Sequence, residues 1–384
     1  MSNSGTSTRR SWVEIEIKHK NVTKKLQPYL ESFTFNDKTG LEFDDISIVL
    51  SNQSGLFYED WLPERGDTVE CTIITKNWNL NENDELQDGE YYCGVFEIDD
   101  ITVSGTPSII DIKAVSILNS AIRRVVRNKP YENVTLKAIL QEIASRHGLG
   151  LKYQIKDEDD EEDPVPISKV TQNDQSDIAF LSQLASDNSA FIKIYDGQLI
   201  ICDIDDLERQ APSSQIYRDD ISAYKFNAQA FDLYKECKVK YFDPKAKRLR
   251  QAKASWKDTI VINKASIPKG KSRKPTKPRK PHYSTYSYLD SANAAGGGKI
   301  LYIRSAVKTL KEAETKAKSE LKKHNRGEWS MDITMMGNID VYAGSVACIY
   351  DFGKFSGWYV VDSVSHKIAD GFTTQIIGHR AMIE

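Results

Sequence analysis

Cysteine is scarce in this sequence, with five residues among 384 and no CxxC pair. Cys71, Cys93, Cys202, Cys237 and Cys348 stand singly within strand-like segments, and their number is odd. Disulfide frameworks and cysteine metal clusters use paired or closely spaced cysteines. We therefore interpret these five as buried free thiols that pack as small apolar side chains.

Long apolar runs are also absent. No segment approaches the roughly 18 to 20 apolar residues that a membrane helix needs, and the N-terminal MSNSGTSTRR has no apolar signal core. Charged residues make up 28% of the chain, and the mean hydropathy is −0.50. These properties predict a soluble, multidomain chain made in the cytoplasm without a signal peptide, with no membrane insertion by this chain.

Catalytic motifs are missing as well. The six histidines are dispersed with no HExxH spacing, no GxSxG segment is present, and AAGGGKI lacks the spacing of a phosphate-binding loop. The sequence therefore predicts no catalytic residue, no cofactor, no metal ligand and no enzyme activity. A cell-wall hydrolase is the less favoured alternative, because abundant acidic residues do not by themselves mark a glycosidase pair.

One short strand-like segment occurs twice, near opposite ends of the chain. The first copy reads GVFEIDDITVS and the second reads GWYVVDSVSHK, at a constant offset of 263 residues. Glycine, aspartate and the alternation of apolar side chains all agree, which favours a duplication over chance. The matched pairs are Gly94 with Gly357, Phe96 with Tyr359, Ile98 with Val361, Asp99 with Asp362, Ile101 with Val364, and Thr102 with Ser365.

A second matching segment lies upstream of each copy, as RGDTVECTII and AGSVACIY. The first copy carries about fourteen extra residues between its two segments, all within a polar stretch. An insertion at a hairpin tip costs little, because loop-closure entropy grows slowly with loop length. We align Gly66 with Gly344, Val69 with Val346, and Cys71 with Cys348.

The apolar pattern divides the chain into three domains after a flexible tail at 1–10. Alternating apolar residues predict a first β-barrel at 11–118, and helical spacing predicts a small α+β domain at 119–212. Strand patterns predict a second barrel at 213–384, which also holds a helix at 303–325. The fold class is therefore mainly β with an α+β insert: two similar antiparallel β-barrel domains flank a small α+β domain.

Two charged segments interrupt this pattern. Residues 157–163 read DEDDEED, which predicts a solvated acidic loop, because the run lacks the glycine and spaced glutamate of a calcium loop. A basic, proline-rich loop at 258–300 contains eight Lys or Arg residues and no acid between 264 and 280. We prefer docking on an acidic partner surface for this loop, with nucleic-acid contact as the alternative.

The C-terminal residues carry a family resemblance. After a charged helix come Asn-Arg-Gly at 325–327, Ala-Gly-Ser-Val at 343–346, Gly-Trp-Tyr-Val-Val-Asp at 357–362, and GFTT from Gly371. This order resembles the bacteriophage late control D family, the baseplate hub proteins of contractile tails, whose fold is similar to the hub base of VgrG spikes. SDIAFLSQLASDNSAFIKIYDGQLIICD is similar to the family's middle domain, and the resemblance covers most of residues 11–384.

The resemblance implies a structural function. A homotrimer with two barrels per subunit would form a pseudo-sixfold ring that joins the hexameric tail tube to a trimeric central spike. The implied partners are this chain itself, the tail tube protein, the central spike protein and baseplate wedge proteins, with the tape measure protein as a further candidate. The protein would be made in the host bacterial cytoplasm and assembled into a virion or a tail-like particle.

Interface candidates follow from the repeated segment and the basic loop. Strand phase indicates a side of the sheet but names no partner, so these residues are expectations. They are Gly94, Phe96, Asp99, Gly357, Trp358, Tyr359, Asp362, Lys271, Arg273 and Lys274.

Overall fold

The structure is a computed structural model of the chain. It describes residues 8–55, 63–80, 86–116, 121–156, 161–195, 197–229, 233–244, 246–256, 299–305, 307 and 309–382. The basic segment at 264–280 and most of the acidic run at 157–163 lie outside the described residues.

The N-terminal part is built from strands whose side chains alternate between core and solvent. In DISIVLS, Ile46, Ile48 and Leu50 are buried and their neighbours are partly exposed, as a two-residue period requires. This N-terminal strand set comprises β1 (Arg10–Ile17), β2 (Lys20–Asn21), β3 (Leu30–Lys38), β4 (Asp45–Ser51), β5 (Thr68–Leu80), β6 (Leu86–Ser104) and β7 (Ile109–Ser116), with a short helix α1 (Thr23–Leu26).

The middle part mixes helices with small sheets. Thr135 and Ser176 cap its two longer helices by accepting hydrogen bonds from Ala138 N and Ala179 N. Its elements are α2 (Ala121–Arg124), β8 (Val126–Thr135), α3 (Leu136–Arg146), β9 (Gly150–Gln154), β10 (Pro166–Ser176), α4 (Asp177–Asp187), β11 (Ala190–Tyr195), β12 (Gln198–Asp203) and α5 (Ile204–Arg209). Strands β8 and β10 pair with each other, and β9, β11 and β12 form a three-stranded sheet.

The C-terminal part contains two separate groups of strands. The C-terminal strand set comprises β13 (Ser214–Ile216), β14 (Ile221–Ala228), β18 (Trp329–Met336), β19 (Val346–Ile349), β20 (Gly357–Ile368) and β21 (Phe372–Arg380). Between β14 and β18 the chain forms a three-stranded sheet with one helix, made of β15 (Tyr234–Asp243), β16 (Arg248–Ser255), β17 (Lys299–Arg304) and α6 (Leu310–Asn325).

The helix predicted at 303–325 starts later than expected. KILYIR alternates apolar side chains and pairs with β15 in parallel, so residues 299–304 form a strand. The helix begins at Leu310, where the Thr309 hydroxyl accepts a hydrogen bond from Glu312 N at 3.2 Å. The predicted start at 303 was wrong because the cap, and not the apolar stripe, fixes the first turn.

One large sheet unites the two ends of the chain. Its thirteen strands run in the order β14-β18-β21-β20-β3-β4-β7-β6-β5-β1-β2, with β19 pairing β13 and β20. Strands β20 and β3 join the two strand sets, which the sequence had predicted as separate barrels.

All five cysteines are free and buried, as interpreted from their spacing. Within the described residues, no helix is long and apolar enough to cross a membrane.

The two strand sets repeat the same pairing order. β5-β6-β7-β4-β3 in the first set corresponds to β19-β20-β21-β18-β14 in the second. Gly66 N donates to Ile98 O at 2.8 Å, and Gly344 N donates to Val361 O at the same distance. Since Ile98 and Val361 are a matched pair in the repeated segment, the duplication predicted from sequence extends to individual backbone hydrogen bonds.

The structure shifts one part of the sequence alignment. Cys71 lies opposite Gly94, whereas Ile349 lies opposite Gly357. Cys71 therefore corresponds to Ile349 and Val69 to Ala347, so the predicted matches with Cys348 and Val346 were each wrong by one position. Such a slip is hard to see in sequence, although it moves a side chain to the other face of a sheet.

The paired glycines provide a matched test of packing. Gly66 and Gly344 have φ values of 89° and 87°, so alanine should cost about 1–2 kcal/mol at either position. A Cβ at Gly344 would also lie 2.8 Å from the Phe191 ring, while nothing lies within 4 Å of one at Gly66. We expect Gly344→Ala to lower the free energy of unfolding by about 1–3 kcal/mol more than Gly66→Ala in denaturant titrations. Equal losses would show that the Phe191 contact carries no cost.

Candidate assembly interface

The contact between the two strand sets is a run of antiparallel backbone pairing. Residues 363–368 of β20 lie opposite residues 33–38 of β3, from Ser363 with Lys38 to Ile368 with Phe33. The preceding part of the same β20 edge pairs with β19. Just beyond β3, Thr39 N donates to Asp362 O at 2.9 Å. The β20 edge therefore changes partner at Asp362, from its own strand set to the other one.

His366 is buried in the middle of this contact. Its ring stacks on Phe35 with centroids 6.2 Å apart and lies near Tyr91 and Phe372. Nδ1 lies 3.0 Å from the hydroxyl of Thr374. Burial lowers the pKa of His366 to about 4, so the imidazole is neutral at pH 7. An aromatic ring without charge is what this apolar environment can accept.

Asp37 ties three parts of the molecule together beside the contact. Its carboxylate forms a buried ion pair with Lys193 of β11 and accepts a hydrogen bond from Ala343 N at 2.7 Å. Nearby, Asp44 accepts a hydrogen bond from Lys38 N at 2.9 Å, and burial raises its pKa to about 7. The carboxylate of Asp37 thus links the N-terminal strands, the middle part and the loop before β19.

Matching bulges show that the pairing register is duplicated too. The register of β6 against β7 shifts between Ile98 and Asp100, and that of β20 against β21 shifts between Val361 and Ser363. The extra residues are therefore Asp99 and Asp362, which the sequence matched. A bulge changes the direction of the strand beyond it. Strand β6 therefore stops pairing with β5, and β20 stops pairing with β19, at matched positions.

A second pair of bulges relates β3 to β14. Pairing of β3 with β4 shifts between Leu30 and Ser32, and pairing of β14 with β18 shifts between Ile221 and Ala223. Beyond these shifts, FTFND at 33–37 corresponds to YKFNA at 224–228. Sequence reasoning missed β14, although this short match was the signal that could have found it.

Two strand edges remain open where their counterparts are paired. The β6 edge, residues 100–104, lies beyond the last β5 pair at Thr68 and Glu97 and is bonded to β7 on its other side. The β14 edge, residues 221–228, is bonded to β18 on one side. Within the part of the chain that the structure describes, neither edge has a strand partner. They are the equivalents of the β20 and β3 segments that pair with each other.

Side chains on the two open edges are more exposed than their counterparts on the paired edges. Val103 of the β6 edge is 43% exposed, whereas its counterpart His366 is buried. Tyr224 of the β14 edge is 52% exposed, whereas its counterpart Phe33 is buried. Side chains at matched positions are therefore buried in one copy and exposed in the other, so Val103 and Tyr224 form exposed apolar surface beside the open edges.

The structure places seven of the ten sequence-derived interface candidates, in three groups. Phe96, Trp358 and Tyr359 are buried in cores, so their side chains cannot reach a neighbour in the folded chain. Gly94 and Gly357 have φ values of 116° and 145°, where glycine is favoured. The bulge residues Asp99 and Asp362 direct the strands, and Asp362 also contacts His379 Nδ1 at 2.9 Å. Lys271, Arg273 and Lys274 lie outside the described residues.

A catalytic or metal-binding reading finds no support in the described residues. No group of three or more His, Cys, Asp or Glu side chains among them could hold a metal ion. The thiols of Cys71 and Cys93 have pKa values raised by burial, which opposes a role as nucleophile.

Two curated relatives extend along almost the whole chain. A protein of Escherichia phage 186 named "Probable baseplate hub protein" is 22% identical over 388 residues, covering 96% of this chain and 92% of the relative. A protein of the same name from Escherichia phage P2 is 23% identical over 371 residues, covering 93% and 90%. The chain is similar to phage baseplate hub proteins. This confirms the resemblance predicted from the C-terminal segments.

Solved structures share the fold. The tail protein from Neisseria meningitidis MC58 superposes with a TM-score of 0.63 at 9% identity, covering 96% of both chains. The 43 kDa tail protein of prophage MuSo2 from Shewanella oneidensis gives 0.62 at 11% identity, covering 96% of this chain and 98% of that one. A family described as YQBQ-like matches residues 269–375. The mainly β fold class with antiparallel sheets, predicted from sequence, is confirmed.

The ion pair at Asp37 should dominate the stability of the junction. Asp37→Ala would leave the ammonium of Lys193 buried without its partner, at a cost of about 3–5 kcal/mol. Asp45→Ala removes a more exposed pair with Lys38 and should cost less than about 1 kcal/mol. Thermal and denaturant unfolding of both variants would check this difference, and a similar loss in both would contradict it.

The histidine at the junction should give a pH dependence of known sign. Because the folded pKa of His366 lies near 4, below the usual value of 6.5, the unfolded chain binds a proton first as pH falls. Relative to His366→Gln, the free energy of unfolding should drop by up to about 3 kcal/mol between pH 6.5 and 4. The raised pKa of Asp44 acts in the opposite direction but is present in both proteins. A constant difference across this range would exclude a buried neutral His366.

Proposed function

We propose that the protein is the structural baseplate hub of a contractile tail or related injection machine. Three subunits form a ring in which six similar strand sets surround the axis, and the ring joins a sixfold tail tube to a threefold central spike. The full-length similarity to proteins named as baseplate hubs supports this role. The protein acts by binding and performs no catalysis.

The observation that carries the proposal is the pair of open strand edges. Each subunit has one β6 edge and one β14 edge, and the chain already contains the corresponding contact between β20 and β3. We infer that the β6 edge of one subunit pairs with the β14 edge of the next. A head-to-tail contact of this kind closes into a ring when the rotation between subunits returns to its start.

The internal contact also supplies the register of the proposed one. Ser365 lies opposite Asn36 and His366 lies opposite Phe35. Because β6 matches β20 and β14 matches β3, the equivalent pairs between subunits are Thr102 with Asn227 and Val103 with Phe226 of the neighbouring subunit. The transferred register covers the exposed side chains of Val103 and Tyr224, and it occupies edges that would otherwise invite unspecific strand addition.

The partners follow from the position of a hub. One face of the ring binds the tail tube protein and the other binds the central spike protein, with wedge proteins outside and the tape measure protein as a further candidate. We propose that the chain is made in the cytoplasm of a host bacterium and acts in the baseplate of a virion or tail-like particle. The fold shared with a chain of the Francisella PdpA-VgrG complex, at a TM-score of 0.50 and 10% identity over 97% of this chain and 58% of that one, is compatible with this assignment.

Engineered cysteines test both the ring and its register. In Thr102→Cys/Asn227→Cys the two thiols should face each other across the subunit contact, and cross-strand neighbours lie within disulfide reach. Oxidation should yield covalent trimers on non-reducing gels, with dimers as partial products. Native mass measurement of the unaltered protein should give three times the subunit mass.

Matched controls separate register from proximity. Thr102→Cys/Ala223→Cys moves one thiol four residues along the same exposed edge, and Thr102→Cys alone lacks a partner. Neither should give trimers. A monomer by native mass, or equal cross-linking by the shifted pair, would count against the strand contact.

A further inference from the structure

The three-stranded sheet of β16, β15 and β17 has two unlike faces. One face packs Cys237, Val239 and Tyr241 of its central strand against α6. Side chains on the opposite face alternate with these and point away from the helix. Three large side chains of this outer face are open to solvent, since Phe242 is 52%, Leu249 73% and Tyr302 64% exposed.

Cations oppose one another across the outer face. Lys253, Lys238 and Tyr302 lie side by side in one row, and Gln251, Lys240 and Arg304 form the next. The two rows lie about 7 Å apart along the strands. Like charges directly opposite in a sheet destabilise it, so this arrangement is not explained by folding.

Neutralising groups are few on this face. Glu236 pairs with Lys238 at 2.8 Å. Among the described residues, no acidic side chain forms an ion pair with Lys240, Lys253 or Arg304. A surplus of positive charge therefore remains on a flat surface, where it would attract a polyanion.

The aromatic ring among the lysines narrows the choice of polyanion. Tyr302 lies beside Lys238, whose ammonium is 5.9 Å from the centroid of the ring. Exposed aromatic rings between phosphate-binding cations are the means by which proteins hold single-stranded nucleic acid, because every base has a face that can stack. Lysine is depleted at protein interfaces, which disfavours an acidic protein as the occupant.

We propose that this outer face binds single-stranded nucleic acid. Lys240, Lys253 and Arg304 contact consecutive phosphates, and Tyr302 stacks on a base between them. The apolar pair Phe242 and Leu249, directly opposite each other at the end of the sheet, extends the surface on which bases can lie. The sequence between β16 and β17 is also rich in cations, with eight Lys or Arg residues at positions 264–280.

Fluorescence anisotropy with a labelled oligothymidylate would test the proposal on the full chain. The basic segment is present in every variant, so differences report on the sheet face. Lys240→Gln/Lys253→Gln should reduce the slope of log affinity against log salt by about 1.4, because each phosphate contact on a single strand contributes about 0.7. Tyr302→Ala should weaken binding at least about fivefold with little change in that slope.

A lysine pair elsewhere on the surface serves as the control for net charge. Lys24→Gln/Lys25→Gln makes the same charge change on exposed residues of α1 and should leave both affinity and slope unchanged. Equal effects of the two lysine pairs, or no effect of Tyr302→Ala, would overturn the proposal by reducing binding to net charge. Preferential binding of poly-glutamate over the oligonucleotide would also overturn it, in favour of an acidic protein. Thermal unfolding of each variant excludes loss of folding as the cause.

Discussion

The backbone pairing between β20 and β3 is the contact on which the rest of the structure depends. It makes one continuous sheet from strands at opposite ends of the chain, and it encloses His366 in an apolar environment that requires a neutral ring. Asp37 holds the middle part and the loop before β19 against the same point. Side chains reinforce it, since the Trp78 indole donates to Gly337 O at 2.6 Å and its ring packs against Phe372.

The contact also explains why the two copies differ at their surfaces. Where the second copy is covered by the first, it can bury His366; where the first copy is open, the same position carries the exposed Val103. Equivalent backbones have thus acquired different side chains according to whether a neighbour lies inside or outside the chain. The bulges at Asp99 and Asp362 stand at the same position in both copies, so the strand path is shared although the side chains differ.

Much of the fold could be predicted from sequence because its signals are local. Alternation in segments such as DISIVLS marks strands, and the repeated glycines and aspartates mark the duplication. The β20 to β3 pairing joins residues more than three hundred positions apart and leaves no local pattern. For the same reason the sequence pointed to Phe96 and Tyr359, which lie in the repeated segment but face inward, and missed the β14 strand, where only YKFNA resembles FTFND.

The internal contact between β20 and β3 bears on the number of subunits in the proposed ring. A strand pairing fixes a definite angle between the two bodies that it joins, and here that angle is already set inside each folded subunit. A neighbour that docks through the equivalent edges repeats the same turn. In the proposed ring, the angle between neighbouring subunits, and with it the number of subunits that close the ring, would therefore be set by the fold of a single subunit.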